Sequence, residues 1–181
     1  MSNKQGLSSR EEVYDRATII LHWLTAILVV LQWSGAILIG LVDERPVRMI
    51  YWTVHIGLGT MLFIAILVRL VWRRMGGRIL PAIGNEMLQK VVRDTHRLLY
   101  VLLAVLMTLG FGIIALRGWR LIGLFTIMPV LPGHQAFSSK LVQMHLWTAH
   151  LLIAVAFSHA IVALYHHLVL KDGVLRRMMI Y

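Results

Sequence analysis

Four long apolar runs dominate the pattern of hydrophobic and polar positions along this chain. They occupy residues 17–42, 47–72, 94–116 and 141–170, and the first and last of them carry no Asp, Glu, Lys or Arg. A helix needs about 20 mainly apolar residues to cross a bilayer, so each run predicts one transmembrane helix. The predicted fold class is therefore all-α: an integral membrane four-helix bundle over 17–170, with polar tails at 1–16 and 171–181.

The connection 117–140 is the one segment whose membrane position the pattern leaves open. Its stretch 121–131 is nearly apolar, but Pro129 lies within it, and Pro132 and Gly133 follow. The apolar length is too short for a span, and proline disfavours the interior of a helix. We expect this loop to lie on the membrane interface or to dip into it, without a fifth crossing.

Composition agrees with a membrane protein and narrows the chemistry. The 181 residues are 59% hydrophobic and 14% charged, and the mean hydropathy is +0.75. Cysteine is absent, which excludes disulfides, thiolate-bound zinc, iron–sulfur clusters and covalently attached c-type haem. The formal charge of +10 comes from basic residues at the ends of apolar runs, so we expect no nucleic-acid partner.

The distribution of basic residues predicts the orientation of the helices. Most Lys and Arg lie in the N-terminal tail, in the connection between the second and third runs, and in the C-terminal tail. The other two loops contribute only Arg45, Arg48, Arg117, Arg120 and Lys140. By the positive-inside rule, both termini are predicted to be cytoplasmic.

Four histidines then sort into two depths. His22 begins an outward helix and His159 lies late in an inward one, so both are near the cytoplasmic side. His55 and His145 begin inward helices and lie toward the outside. His145 and His159 are fourteen residues apart, which places them about 40° apart around the helix and about 21 Å apart along it. An ionisable residue within a span suggests a functional site.

Two histidines facing each other across a helical bundle suit the axial positions of a haem iron. Gly35 and Gly110 are predicted near the outer pair, where small residues would give a porphyrin room, although glycine also simply lets helices approach. Arg69 returns to the face of His55 at the inner depth, where it would pair with a haem propionate or extend to the cytoplasmic surface. His96 begins the third helix at the same depth and is a candidate to hydrogen-bond a propionate or a quinone.

The remaining histidines have plainer interpretations. His134 lies in a loop and is expected to be solvated. His150 points about 140° away from His145, which favours a hydrogen-bonded packing role. His166 and His167 are expected at the inner interface.

Short motifs follow one another through nearly all of the chain beyond the first dozen residues. They are Ile20-Leu21-His22-Trp23, His55-Ile56-Gly57, Val68-Arg69-Leu70, Thr95-His96-Arg97-Leu98-Leu99-Tyr100, Met144-His145 with His159, Tyr165-His166-His167, and Lys171-Asp172-Gly173-Val174-Leu175-Arg176-Arg177-Met178. In this order they resemble the bacterial cytochrome b561 family, small four-helix dihaem cytochromes of the inner membrane.

The resemblance implies two haem b groups, with iron held by His22 and His159 in one and by His55 and His145 in the other. It also implies electron transfer with quinone and, in some members, oxidation of superoxide at the outer face. That activity would make the chain a superoxide:quinone oxidoreductase. Arg117, Arg120 and Lys140 could attract such an anionic donor, or could be ordinary loop charges.

Three other functions stay open at this point. The chain could be the cytochrome b subunit that anchors a larger dehydrogenase or hydrogenase and passes its electrons to quinone. It could be a proton or metal transporter with a histidine relay, although the pairing of the histidines at two depths would then be unexplained. It could also be a structural membrane protein. A redox protein as donor and a homodimer are compatible with the sequence, which carries no residue-level case for either.

Overall fold

The computed structural model describes residues 13–81, 83–121, 125–130 and 134–179. Four long helices make up most of it: α1 (Arg16–Leu38), α2 (Arg45–Met75), α3 (Glu86–Arg117) and α4 (Gln135–Tyr165). Short turns extend two of them and follow the last: a 3₁₀ turn at Ile39–Leu41, a π-helical turn at His166–Leu170 and a 3₁₀ turn at Leu175–Met178. All four helices are long and apolar enough to span a membrane.

Side-chain caps determine where two of the helices begin. Oδ1 of Asp15 accepts the N–H of Thr18 at 2.9 Å, and Oδ1 of Asn85 accepts the N–H of Leu88 at 2.9 Å. These bonds satisfy backbone donors that the first turn of a helix leaves free. Because of the Asn85 cap, α3 begins at Glu86, eight residues before the start that hydropathy predicts at 94.

The connection between α3 and α4 contains two short antiparallel strands, β1 (Trp119–Leu121) and β2 (Phe125–Ile127), which the sequence analysis did not predict. Gly118 ends α3 with φ +66°, and a Cβ there would lie 2.6 Å from the carbonyl oxygen of Ile127. Only glycine fits both the positive φ and this contact. The N–H of Val130 then donates to the carbonyl of Ala115 at 2.8 Å. Pro132 and Gly133 lie outside the described residues.

The buried core is a layer across the middle of the bundle. Its side chains are Leu28, Val29, Leu62, Ala65, Ile66, Leu102, Leu103, Leu106 and Leu152. Along every helix this layer separates two groups of candidate site residues. We call the level of His55 and His145 the outer level, and the level of His22, Arg69, His96 and His159 the inner level, after the predicted orientation. α1 packs mainly on α2, and α3 mainly on α4.

Hydrogen bonds join three chain segments below the inner level. Asp15 accepts from Nε1 of Trp72 at 2.8 Å and from the N–H of Arg78 at 3.0 Å. Nη1 of Arg177 donates to the carbonyl of Pro81 at 2.7 Å, and Nε1 of Trp23 donates to that of Met178 at 2.7 Å. The start of α1, the α2–α3 connection and the C-terminal turn therefore hold one another at this end of the bundle.

Candidate functional site

His55 of α2 and His145 of α4 face each other at the outer level. Their ring centroids are 6.4 Å apart, and the ring planes cross at 68°. Nδ1 of each ring is buried and has no hydrogen-bond partner among the described residues. Because a buried polar atom without a partner costs free energy, each of these two atoms is a candidate to bind a group that the chain itself does not supply.

The separation of these rings fits a metal ion between them. An imidazole nitrogen binds a transition metal at about 2 Å, so two rings on opposite sides of one ion have centroids roughly 6 Å apart. The described part of the chain contains no group of three or more His, Cys, Asp or Glu side chains suited to hold a metal by itself. Two imidazoles are sufficient when a porphyrin supplies the other ligands, so the outer level fits a bis-histidine haem.

Gln32 of α1 holds the backbone of His55. Its Nε2 donates to the His55 carbonyl at 2.9 Å. Gly59 makes room for this bond, because a Cβ at that position would lie 2.9 Å from Nε2 of Gln32. Gln32 was not among the predicted site residues, and Gly59 was expected only as one of the small residues beside His55 that give a porphyrin room. The available signal was a glutamine within an uncharged span, where a polar side chain usually hydrogen-bonds across helices.

The two glycines predicted near the outer level have different neighbours. A Cβ on Gly110 would lie 3.5 Å from Cε1 of His145, so this glycine faces the ring pair. A Cβ on Gly35 would lie 2.5 Å from the hydroxyl of Tyr51, whose ring is itself 6.2 Å from that of His55. The space over Gly35 is thus filled by an aromatic ring from α2, and its role in making room for a porphyrin stays a prediction.

The inner level gathers four of the predicted site residues. Nη2 of Arg69 lies 3.0 Å from Nδ1 of His22, and the Arg69 guanidinium is 5.7 Å from the centre of the Tyr100 ring. The rings of His96 and His159 are edge to face, 5.1 Å apart. Arg69 is therefore directed into the bundle in this structure. It does not extend to the cytoplasmic surface, which was the alternative expectation.

The hydrogen bonds assign tautomers to two of these histidines. Arginine can only donate, so Nδ1 of His22 accepts and its proton is on Nε2. His96 has the opposite arrangement, since its Nδ1 lies 2.7 Å from the carbonyl of Val92 and must donate to it. Nε2 of a neutral His96 is consequently an acceptor. The predicted pairing of His22 with His159 stays a prediction, since the ring of His159 contacts His96.

The outer loop contributes one described arginine to a surface groove. The groove has a volume of about 410 Å³ and is lined by Met49, Arg117, Gly118, Trp119, Thr126, Ile127, Met128 and Pro129. Nε of Arg117 donates to Oγ of Ser138 at 3.1 Å. Lys140 is exposed, and the side chain of Arg120 lies outside the described residues. The attraction of an anionic donor by Arg117, Arg120 and Lys140 stays a prediction.

Two histidines outside the predicted set have hydrogen-bond partners. His150 accepts from Nε1 of Trp33 at 3.1 Å, which agrees with a hydrogen-bonded role. His166 was expected at the interface, but it is buried and Nδ1 bonds the carboxylate of Asp172. Burial raises the pKa of Asp172, but the bonds from His166 and from the N–H of Val174 outweigh this and lower it overall.

The sequence matches the profile of prokaryotic cytochrome b561 over residues 13–180. The chain belongs to the prokaryotic cytochrome b561 family. Among its relatives, it is 32% identical over 172 residues to the probable superoxide oxidase CybB of Yersinia pestis, covering 92% of this chain and 95% of that protein. It is 26% identical over 179 residues to cytochrome b561 homolog 2 of Escherichia coli strain K12, covering 93% and 92%. It is 28% identical over 180 residues to cytochrome b562 of Cereibacter sphaeroides, covering 94% and 98%.

Family membership and the four helices confirm the predicted all-α membrane bundle, the resemblance and the electron-transfer class. As a cytochrome b561 the protein carries b-type haem, and it is a multi-pass protein of the bacterial inner membrane.

Proposed function

We propose that this cytochrome b561 holds two haem b groups and relays electrons across the inner membrane, from a donor at the outer face to quinone at the inner level. The observation that carries the proposal is the His55–His145 pair, with centroids 6.4 Å apart and buried Nδ1 atoms that have no partner among the described residues. A bound haem iron supplies one-electron transfer. With a histidine from each of two helices to hold it, the site would favour electron transfer over oxygen binding.

The second haem of the proposal is held by His22 and His159 at the inner level. Ligation through Nε2 of His22 requires its proton on Nδ1, which cannot then accept from Arg69. Arg69 would then be free to pair with an anionic partner, and a haem propionate would be such an anion. The leucine-rich layer between the two levels keeps water out of the middle of the bundle.

The proposed acceptor is quinone near His96. With Nδ1 committed to the Val92 carbonyl, Nε2 of His96 accepts a hydrogen bond from a quinol hydroxyl, or donates to a quinone carbonyl once the ring is protonated. In this proposal the His96 ring donates a proton as a quinone is reduced, or accepts one as a quinol is oxidised.

The proposed donor is superoxide. The name of the Yersinia relative describes a probable superoxide oxidase, and Arg117 and Lys140 supply positive charge at the same end of the bundle as His55 and His145. In this proposal both termini are cytoplasmic, by the distribution of Lys and Arg.

The proposal is tested on the purified protein by a pyridine haemochrome assay and a reduced-minus-oxidised spectrum. Two low-spin haem b groups per chain are expected. Superoxide should then reduce them, and a short-chain ubiquinone should reoxidise them, in rapid-mixing experiments. A single haem per chain would overturn the dihaem arrangement. Two haems that superoxide does not reduce would instead favour a cytochrome b subunit fed by a dehydrogenase.

A further inference from the structure

His150 of α4 lies between two indole rings, on a part of the bundle that neither histidine pair uses. Trp33 of α1 is 6.2 Å from it between ring centroids, at 84°, and Trp147 of α4 is 6.2 Å away, at 70°. His150 is five residues beyond His145, about 7.5 Å along the helix. It therefore lies in the outer half of the membrane, where α1 and α4 meet.

The Trp33–His150 hydrogen bond fixes which nitrogen of His150 carries the proton. An indole N–H can only donate, so Nδ1 of His150 is the acceptor of the 3.1 Å bond. Nε2 then carries the hydrogen. Nε2 of His150 has no hydrogen-bond partner among the described residues. It is also not among their buried polar atoms without a partner, so it lies at the surface of the bundle.

The side chains beside this donor lie on the outside of the bundle. Trp147 is 69% exposed, and Leu151 and Met144 beside it are also exposed. In a bilayer no water is present to satisfy an N–H, and a donor at this depth without a partner is unfavourable. A molecule that dissolves in the membrane and carries an acceptor oxygen would satisfy it.

The surroundings restrict the chemistry of that molecule. Residues 17–42 and 141–170 contain no Asp, Glu, Lys or Arg, so a charged group would have no counter-ion. Two flanking indole rings favour a flat aromatic or quinonoid ring by stacking and edge contacts. We propose that Trp33, Trp147 and His150 bind the ring of a neutral quinone, with Nε2 of His150 donating to one of its carbonyl oxygens. This site goes beyond the proposed function, in which quinone reacts at the inner level.

The test is photolabelling in lipid nanodiscs with a short-chain azidoubiquinone, followed by mass spectrometry of the labelled peptides. We expect labelling of the α1 and α4 segments around Trp33 and Trp147, displaced by excess unlabelled decylubiquinone. His150→Phe should reduce this labelling at least tenfold, whereas His150→Gln, which keeps an N–H donor, should retain most of it. Thr148→Val is the matched control, because the Thr148 hydroxyl already bonds the Met144 carbonyl in its own helix.

Three results would overturn the site: labelling at these segments that survives in His150→Phe, labelling confined to the inner level, or labelling that unlabelled quinone does not displace. The last would mean that the probe reacts from the surrounding lipid and not from a bound position. Helical circular dichroism establishes that each variant is folded, and if His150→Phe is not, Trp33→Phe replaces it, because that change removes the bond fixing the tautomer. Labelling does not depend on haem, so the result is independent of the electron-relay proposal.

Discussion

Nη2 of Arg69 lies 3.0 Å from Nδ1 of His22, joining α2 to α1 at the inner level. This bond places a positive charge beside a proposed haem ligand, within a span where an unpaired cation is unfavourable. The guanidinium also lies over the ring of Tyr100. Arg69 is therefore held by two neighbours inside the bundle, and its charge acts on whatever redox group binds there.

Replacing Arg69 should lower the reduction potential of one haem. A nearby cation stabilises the reduced state, so Arg69→Gln is expected to lower one midpoint by about 60 mV, a tenfold change for a one-electron couple. Arg69→Lys should keep most of the potential, since the charge remains. Potentiometric titration followed optically measures both. Arg74→Gln, an exposed change in the last turn of α2, is the control, and an equal shift there would contradict the assignment.

Removing one histidine of the outer pair should remove one haem. His55→Ala and His145→Ala are each expected to halve the haem content per chain and to leave the other haem's spectrum largely intact. His167→Ala, near the inner end of α4, should retain the full content. Pyridine haemochrome assays normalised to protein measure the ratio. Unchanged haem in either outer variant would contradict the pairing.

The size of residue 110 should decide whether the outer site can bind its haem. A Cβ on Gly110 would make an ordinary contact of 3.5 Å with His145, so Gly110→Ala is expected to retain haem, whereas Gly110→Leu would push against that ring. We expect Gly110→Leu to lose most of the outer haem, measured as haem per chain. Gly40→Leu is the control, because nothing lies within 4 Å of a Cβ at that position. Full haem in Gly110→Leu would show that the site lies elsewhere.

The sequence predicted the depth at which each candidate residue lies. It predicted less well which side chains each of them contacts. Counting along the apolar runs assigned His55 and His145 to one depth and His22 and Arg69 to the other, because helical rise is nearly constant. The contact of His96 with His159 depends on how the helices rotate about their axes. Rotation comes from packing among all four helices, and no single run encodes it.

Helix ends and the outer loop were the least predictable parts of the fold. The hydropathy pattern placed the start of the third helix at Asp94, but the backbone is helical from Glu86 onward, and the Asn85 cap was the missed signal. The strands beside Gly118 depend on the positive φ of that residue. Nothing in the sequence around this glycine indicated that φ. The alternating segments Trp-Arg-Leu and Phe-Thr-Ile were too short to predict strands in place of a loop.

Gly35 should matter for packing of α1 on α2. The Tyr51 hydroxyl would lie 2.5 Å from a Cβ at Gly35, so Gly35→Ala must displace that side chain, and overpacking of this kind costs about 1–3 kcal/mol. Tyr51→Phe removes the closest atom and should recover part of the loss in the double variant. Unfolding in mixed detergent, followed by helical circular dichroism, measures the coupling. Strictly additive effects would contradict the contact.

The hydrogen bonds at Asp15 should make stability depend on acid. Burial raises the pKa of Asp15, but the bonds from Thr18, from the N–H of Arg78 and from Trp72 outweigh this and hold it well below its ordinary value. A carboxylate whose pKa is lower in the folded protein stabilises the fold above its unfolded pKa, about 4. That stabilisation is lost as the pH falls from there toward the folded-state pKa.

Asp15→Asn should remove much of this acid dependence. Asparagine still caps a helix, so α1 is expected to form, but the side chain has no charge to lose below pH 4. Unfolding midpoints in mixed detergent at several pH values between 6 and about 3 should fall for the natural protein and change much less for the variant. Asp94→Asn is the control, since its carboxylate pairs with Arg97 at the exposed surface, where an ion pair contributes little. If Asp15→Asn and the natural protein lose stability in parallel, Asp15 does not carry the acid response.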